Sequence, residues 1–271
     1  MMEIQKQKEE IEESKNKISA AMIAYNEARR IERCLGSLKD FDEIVIVIDS
    51  KTDDGTEKIA REYGCRTYIE DWKGFGPQKQ SAIDKCENDW VLIVDGDEAL
   101  PAETAEEISK ELKNGNEGRN PAEAYAFPRK NFLHGKWMRH GDWWPDWQVR
   151  LVNRKKGRMS GAIHEGWKTA GATGKILSPI EHFCFDGYAD MLQTMDKYSS
   201  IIARDMFDRG VRTTAAAPLL HAFGMFAKIY IQKRAFLDGF DGLVTAFLKA
   251  GGSFFKYAKL LEMQRHTAPG S

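Results

Sequence analysis

Asp95-Gly96-Asp97 places two carboxylates one residue apart, directly after an apolar run, Trp90-Val91-Leu92-Ile93-Val94. At the end of a buried strand such a pair can share a hard divalent cation, Mg²⁺ or Mn²⁺, and the glycine between them lets a diphosphate come close. The cation would neutralise a departing nucleoside diphosphate. An isolated D-x-D is more often a solvated turn. This one gains meaning from a second acid, Asp49, which ends another run, Ile44-Val45-Ile46-Val47-Ile48. A carboxylate in that position can accept from a ribose hydroxyl or a uracil-like edge. The following Asp53-Asp54-Gly55-Thr56 reads as a turn whose Asp53 and Thr56 cap the next helix. Between the two acids lies Lys73-Gly74-Phe75-Gly76-Pro77-Gln78-Lys79. It has two glycines of a dinucleotide fingerprint but lacks the third, and its backbone and Lys79 suit phosphate or base contact.

These residues need strands to hold them. Apolar runs at 18–24, 43–48 and 90–94, with a weaker one at 66–70, alternate with helical patterns that end near Leu38 and that cover 56–63, 78–86 and 101–114. Continuous rather than alternating apolar strands are buried on both faces, and βα alternation implies a parallel sheet. In such sheets the ligand sits beyond the carboxyl ends of the strands, where Asn26, Asp49 and Asp95 all fall. Beyond residue 124 the pattern changes. Strand-like pieces at 124–129, 148–153 and 175–182 surround an aromatic loop, 137–147, and after Tyr188 the chain reads as helical. The expected fold is therefore α/β: a Rossmann-like mixed sheet, mostly parallel and flanked by helices, with a helical C-terminal appendage.

Bulk properties narrow the function. Forty Lys plus Arg balance 41 Asp plus Glu for a net charge of −1, so no global field favours nucleic acid. The four cysteines are widely spaced and form no C-x-x-C pair, which argues against a zinc ribbon or disulfide framework and for reduced, buried thiols. Residues 1–16 are rich in Glu, Lys and Gln, a charged helical extension without a secretory h-region, which places the protein in the cytoplasm.

The ordered set Ile23-Ala24-Tyr25-Asn26-Glu27, Asp49-Ser50 with Asp54-Gly55-Thr56, Gly74-Phe75-Gly76 with Gln78-Lys79, and Asp95-Gly96-Asp97-Glu98 resembles the nucleotide-binding half of the inverting GT-A glycosyltransferases of family 2. Downstream, His140-Gly141-Asp142-Trp143-Trp144-Pro145-Asp146-Trp147-Gln148-Val149-Arg150-Leu151 and Ile163-His164-Glu165 are similar to a bacterial branch that includes lipopolysaccharide inner-core β-1,4-glucosyltransferases. The likeness spans about residues 17–262.

The resemblance implies roles position by position. Tyr25, Asn26, Glu27 and Asp49 would hold the nucleoside, with Gln78, Lys79 and Gly96 also at the nucleotide sugar. Asp95 would contact ribose or metal, and Asp97 the metal, with His182 as a third ligand. The donor would be a UDP-hexose, in this branch UDP-glucose, and the acceptor a glycolipid such as lipopolysaccharide core. Inversion requires one general base, a carboxylate near the acceptor hydroxyl. Glu165 is preferred over Asp146, because it follows the small-residue loop Ser160-Gly161-Ala162. Gln148 and Arg150 alternate with Val149 and Leu151 and should share a strand face, where the arginine would bind diphosphate or an acceptor phosphate. Trp143, Trp144 and Trp147 offer stacking surfaces for acceptor sugars, or else belong to the core.

The expected organisation is a charged extension at 1–16, a catalytic domain at 17–188 divided at 115/116 into donor and acceptor halves, and a helical region at 189–266. No stretch reaches the roughly 18 uninterrupted apolar residues of a membrane span. However, 218–262 mixes phenylalanines with six basic and three acidic residues, a composition suited to peripheral contact with an anionic membrane or to homo-oligomer packing. Two rival functions are a sugar-phosphate nucleotidyltransferase and a non-catalytic scaffold. The first usually carries an N-terminal Gly/Arg-rich phosphate loop, and residues 18–30 offer Arg29 and Arg30 without a glycine.

Overall fold

A computed structural model of the protein describes residues 17–115, 122–161 and 166–266. The expected segments 1–16 and 267–271 and the residue Glu165 lie outside the described residues. The described chain forms two compact units, one of residues up to 129 together with 146–182, the other of 130–145 with 183 onward.

In the first unit β1 (Ile18–Ala24), β2 (Glu43–Asp49), β3 (Arg66–Glu70) and β4 (Trp90–Ile93) pair in parallel in the order β3-β2-β1-β4. Their apolar runs are continuous because both faces are covered. Met22, Ile46, Ile48 and Leu92 pack on one side with Ile31 and Leu35 of α1 (Ile31–Ser37) and Ile108 of α4 (Ala102–Gly115). Ala21, Val45, Val47, Val91 and Ile93 pack on the other with Ala82 and Ile83 of α3 (Phe75–Asp84). Helix α2 (Thr56–Glu62) completes the βα series. The sheet continues from β4 to β8 (Asp146–Asn153), β6 (Ala124–Leu133), β12 (Ile180–Phe185) and the two-residue β5 (Glu98–Ala99), with β4–β8, β8–β6 and β12–β5 antiparallel. This is the expected GT-A-like α/β arrangement.

Three details depart from the sequence reading. Helix α3 starts at Phe75 rather than 78, because Pro77 fits its first turn and so belongs to the helix. The expected strand 175–182 splits into β11 (Thr173–Lys175) and β12, separated at Ser178-Pro179. A two-stranded hairpin, β9 (Gly157–Ser160) and β10 (Gly166–Thr169), was not anticipated.

The second unit is mainly helical. Helices α5 (Tyr188–Asp208) and α6 (Ala217–Phe226) pack along α7 (Phe240–His266). Lys259 Nζ meets Asp196 Oδ1 at 2.6 Å and Ser199 Oγ at 2.8 Å, and the rings of His221 and Tyr257 stack at 4.0 Å. Between α6 and α7 a π turn, Ala227–Gln232, and a 3-10 turn, Ala235–Asp238, reverse the chain. Gly242 permits the reversal, since a Cβ there would lie 1.8 Å from the Ala235 carbonyl oxygen. Asp238 is buried, and its carboxylate accepts from the backbone N–H groups of Arg139 (3.1 Å) and His140 (2.8 Å).

Candidate active site

The loops at the carboxyl ends of β1 and β2 are tied to each other. Asn26 adopts φ 53°, a left-handed conformation that asparagine tolerates, and its amide pairs with Asp53 in both directions: Nδ2 donates to Asp53 Oδ1 (3.2 Å) and Oδ1 accepts from the Asp53 N–H (3.0 Å). The Glu27 N–H donates to Thr56 Oγ1 (2.8 Å) and the Ala28 N–H to Asp54 Oδ2 (2.9 Å). Asp54, rather than Asp53, accepts from the first N–H of α2, at 3.1 Å from Thr56 N. Expected capping by Asp53 and Thr56 is thus replaced by a bridge between the loops, which fixes Tyr25, Asn26 and Glu27 in place. Tyr25 is exposed, and Asp49 is buried with Oδ1 accepting the Lys51 N–H at 2.9 Å.

The Asp95-Gly96-Asp97 turn follows β4. Gly96 leaves room for Glu27, whose Cγ would lie 3.2 Å from a Cβ at that position. Asp95 meets Lys79 Nζ through Oδ1 (3.0 Å) and Arg150 Nη2 through Oδ2 (2.6 Å). Burial alone would raise its carboxyl pKa; the guanidinium and ammonium outweigh that and hold it well below the usual carboxylate range. Glu98, fully buried, accepts from the Asp95 N–H at 3.1 Å and from Arg150, and lies 3.5 Å from Arg129 Nη1. Arg129 donates through Nε and Nη2 to Asp146 Oδ2 (2.9 and 2.6 Å), and Gln148 Nε2 donates to Asp146 Oδ1 (2.8 Å). Three cations and three carboxylates are thereby interlocked, the arrangement that makes buried charge tolerable.

Strand β8 reaches this network through a bulge. Tyr125 pairs with Leu151 but Ala126 pairs with Val149, so Arg150 is an extra residue in the ladder. The expected simple alternation of Gln148 and Arg150 is therefore wrong in detail: the bulge re-aims the strand, and Val149 lines the same cavity as both. That cavity has a volume of about 360 Å³. The charged residues lining it are Lys79, Arg129, Arg150 and Asp95, so three cationic side chains reach its wall, with Glu98 and Asp146 balancing the two arginines beyond the lining. Trp147, with Lys175 Nζ 4.8 Å above its ring, forms part of its wall, as do Met159, Gly166 and Trp167 of the β9–β10 hairpin.

Asp97 lies apart from the cations. Its Oδ2 is 3.4 Å from His182 Nε2, which β12 supplies opposite Glu98. Burial and the neighbouring Asp97 and Asp95 carboxylates raise Glu27 to about 7, against the pull of Arg30, so this corner concentrates negative charge. A carboxylate and an imidazole facing each other suit Mn²⁺ or Mg²⁺ when the diphosphate and water complete the shell. Among the described residues no group of three or more His, Cys, Asp or Glu side chains is placed to hold an ion by itself. Asp95, with both oxygens on cations, is not arranged as a ligand.

The structure thus gathers Glu27, Lys79, Asp95, Gly96, Asp97, Asp146, Gln148, Arg150 and His182 around the strand ends of the first unit. Gln78 is buried, with Oε1 accepting the Lys73 N–H at 3.2 Å and Nε2 without a partner among the described residues. Trp143 and Trp144 belong to the second unit. Trp143 is 5% exposed and packs with Leu133, Met138 and Met191, so the core alternative holds and its ring presents no face to a sugar. Trp144 meets Trp137 edge-on at 5.3 Å. Sequence reasoning missed Glu98 and Arg129. Their signals were an acid adjoining the D-x-D yet followed by apolar Ala99-Leu100, and an arginine at the end of a strand-like piece.

The profile of "Glycosyl transferase family 2" matches residues 19–166. The chain belongs to this family. It is a glycosyltransferase, and the nucleotidyltransferase and scaffold alternatives give way. An uncharacterised glycosyltransferase of Rickettsia bellii (strain RML369-C) is 30% identical over 266 residues, covering 94% of this chain and 90% of that protein. The lipopolysaccharide core biosynthesis glycosyltransferase LpsC of Rhizobium meliloti (strain 1021) is 28% identical, covering 92% and 93% respectively. Among solved structures, S. aureus TarS 1-349 in complex with UDP-GlcNAc aligns with a TM-score of 0.45 at 15% identity, over 92% of each chain.

Proposed function

We propose that this family 2 enzyme is an inverting, metal-dependent hexosyltransferase that moves glucose from a UDP-linked donor to a glycolipid of the lipopolysaccharide-core type, at the cytoplasmic face of a membrane contacted by residues 218–262. The observation that carries the reading is the cation-lined cavity at the strand ends beside Asp97 and His182. Its lining suits a diphosphate on one side and its Trp147 wall a sugar ring. The acceptor class follows that of the relative LpsC, a lipopolysaccharide core biosynthesis glycosyltransferase.

Tyr25, Asn26, Glu27 and Asp49 hold the nucleoside, on loops already fixed by the Asn26–Asp53 pair. Lys79 and Arg150 orient Asp95 toward ribose and bring positive charge to the donor. Asp97 and His182 would hold Mg²⁺ or Mn²⁺, which would offset negative charge on the departing diphosphate. The acceptor oxygen attacks the anomeric carbon opposite the donor's C–O bond. As that bond breaks its electron pair leaves with UDP, and the hydroxyl proton passes to a carboxylate. We assign that base to Glu165. Met159 and Gly166 on either side of its segment line the cavity, whereas both oxygens of Asp146 are engaged by Arg129 and Gln148.

Calorimetric titration of UDP-glucose, UDP-galactose, GDP-mannose and dTDP-glucose, with and without Mn²⁺, tests the donor, and slow hydrolysis of the bound donor tests turnover. UDP-glucose should bind tightest and only with metal. Absence of both binding and hydrolysis across the panel would defeat the reading.

A further inference from the structure

The second unit turns apolar side chains outward where a globular protein hides them. Leu220 and Phe240 are each 70% exposed and Phe223 is 77% exposed, and Leu219, Phe236 and Phe247 are exposed beside them. Ring contacts join the patch: Phe226 meets Phe247 at 4.8 Å and Tyr230 at 5.2 Å, and Tyr230 meets Phe236 at 6.0 Å. Exposed apolar side chains gathered along one chain reversal in this way mark an interaction site.

The charges around it are sorted. Both acids of the reversal face the protein: Asp238 is buried against the Arg139 and His140 N–H groups, and Asp241 binds Tyr188 Oη (2.7 Å) and Lys136 Nζ (2.9 Å). Lys233 is engaged by Asp142. Lys228 and Arg234 are exposed and have no ion pair among the described residues. Outward charge beside the patch is therefore positive. A two-fold interface with a second copy would set this patch against itself and oppose like charges. An anionic lipid surface instead accepts apolar side chains at the acyl boundary and basic ones at the headgroups. No helix among the described residues is long and apolar enough to cross a membrane.

We infer that the α6–α7 reversal is a peripheral docking face for anionic phospholipid, in which Leu220, Phe223, Phe236 and Phe240 enter the interface and Lys228 and Arg234 bind headgroups. This deepens the glycolipid-acceptor reading, since it identifies the surface that would bring the enzyme to a lipid-borne substrate. It does not depend on the identity of the sugar.

Co-sedimentation of the full chain with phosphatidylglycerol vesicles and with phosphatidylcholine vesicles tests it. The protein should partition to the first at least about tenfold more strongly, and high salt should weaken that binding. Leu220→Ser/Phe223→Ser should lower partitioning at least about tenfold on phosphatidylglycerol, and Lys228→Glu/Arg234→Glu should remove the preference for it. All these positions are exposed, and melting curves matching the parent would confirm folding. Equal binding to both lipids, no binding by the parent, or parental binding by the serine variant would each overturn the inference. So would a parent dimer, seen by analytical ultracentrifugation, that the serine variant converts to monomer. Donor hydrolysis in lipid-free buffer reports on the transferase chemistry alone, so a failure of vesicle binding would remove the docking face and the membrane contact while leaving that chemistry standing.

Discussion

The two units break the ordinary rule of protein interiors in opposite directions. The first buries charge: Lys79, Glu98 and Arg150 are buried, joined through the half-buried Asp95 that lines its cavity. The second exposes hydrocarbon on the α6–α7 reversal. Each departure lowers stability unless something compensates, yet the compensation differs. Buried charges are offset internally, by one another, and so are fixed before any ligand arrives. An exposed apolar face finds compensation only in what it meets. The contrast separates a rigid chemical site from an adaptable contact site, and the two should respond differently to substitution.

Among the largest effects expected is that of Asp97→Ala, which should lower metal-stimulated donor turnover on the order of a thousandfold while vesicle binding stays parental. A parallel loss of vesicle binding would break the separation. Glu165→Gln should reduce turnover by about 10²–10⁴-fold with donor affinity by calorimetry retained. If turnover were unchanged, the base would move to Asp146. Arg150→Met leaves the carboxylates of Asp95 and Glu98 short of their strongest partner, and should destabilise the first unit by about 3–5 kcal/mol in urea unfolding. Leu220→Ser/Phe223→Ser should change stability by no more than about 0.5 kcal/mol, because those side chains gain little from folding. A stability loss comparable with that of Arg150→Met would mean the apolar face is packed and not open.

Legibility in the sequence follows the same division. The parallel half of the sheet was readable because Val45-Ile46-Val47-Ile48 and Val91-Leu92-Ile93 are apolar at every position, which only burial on both faces explains. Asp49 and Asp95 were readable as strand-end acids for the same reason. Glu98 and Arg129 were not, since their partners, Arg150 and Asp146, are supplied by strand pairing far along the chain. Local periodicity carries no information about such partners. The β9–β10 hairpin was missed because its strands have only four residues each, too few for an alternation to stand out. Trp143 could be read as stacking platform or as core, and only its packing with Met138 and Met191 decides. Composition correctly suggested surplus positive charge in the C-terminal segment, but not that Asp238 and Asp241 face inward.

The extra residue in β8 has a consequence for how this enzyme could change. After the bulge, Leu151 and Val152 are core residues whose volumes the packing dictates. Before it, Trp147 and Gln148 face the cavity and carry little of that packing. Arg150 stands between the two stretches as a hinge in the sequence constraints. Val149 packs against the core as well as lining the cavity. Variation at Trp147 and Gln148 can therefore reshape the cavity wall while the sheet beyond stays in register, and a library randomised at those two positions is the natural place to seek altered sugar selectivity in a still-folded protein.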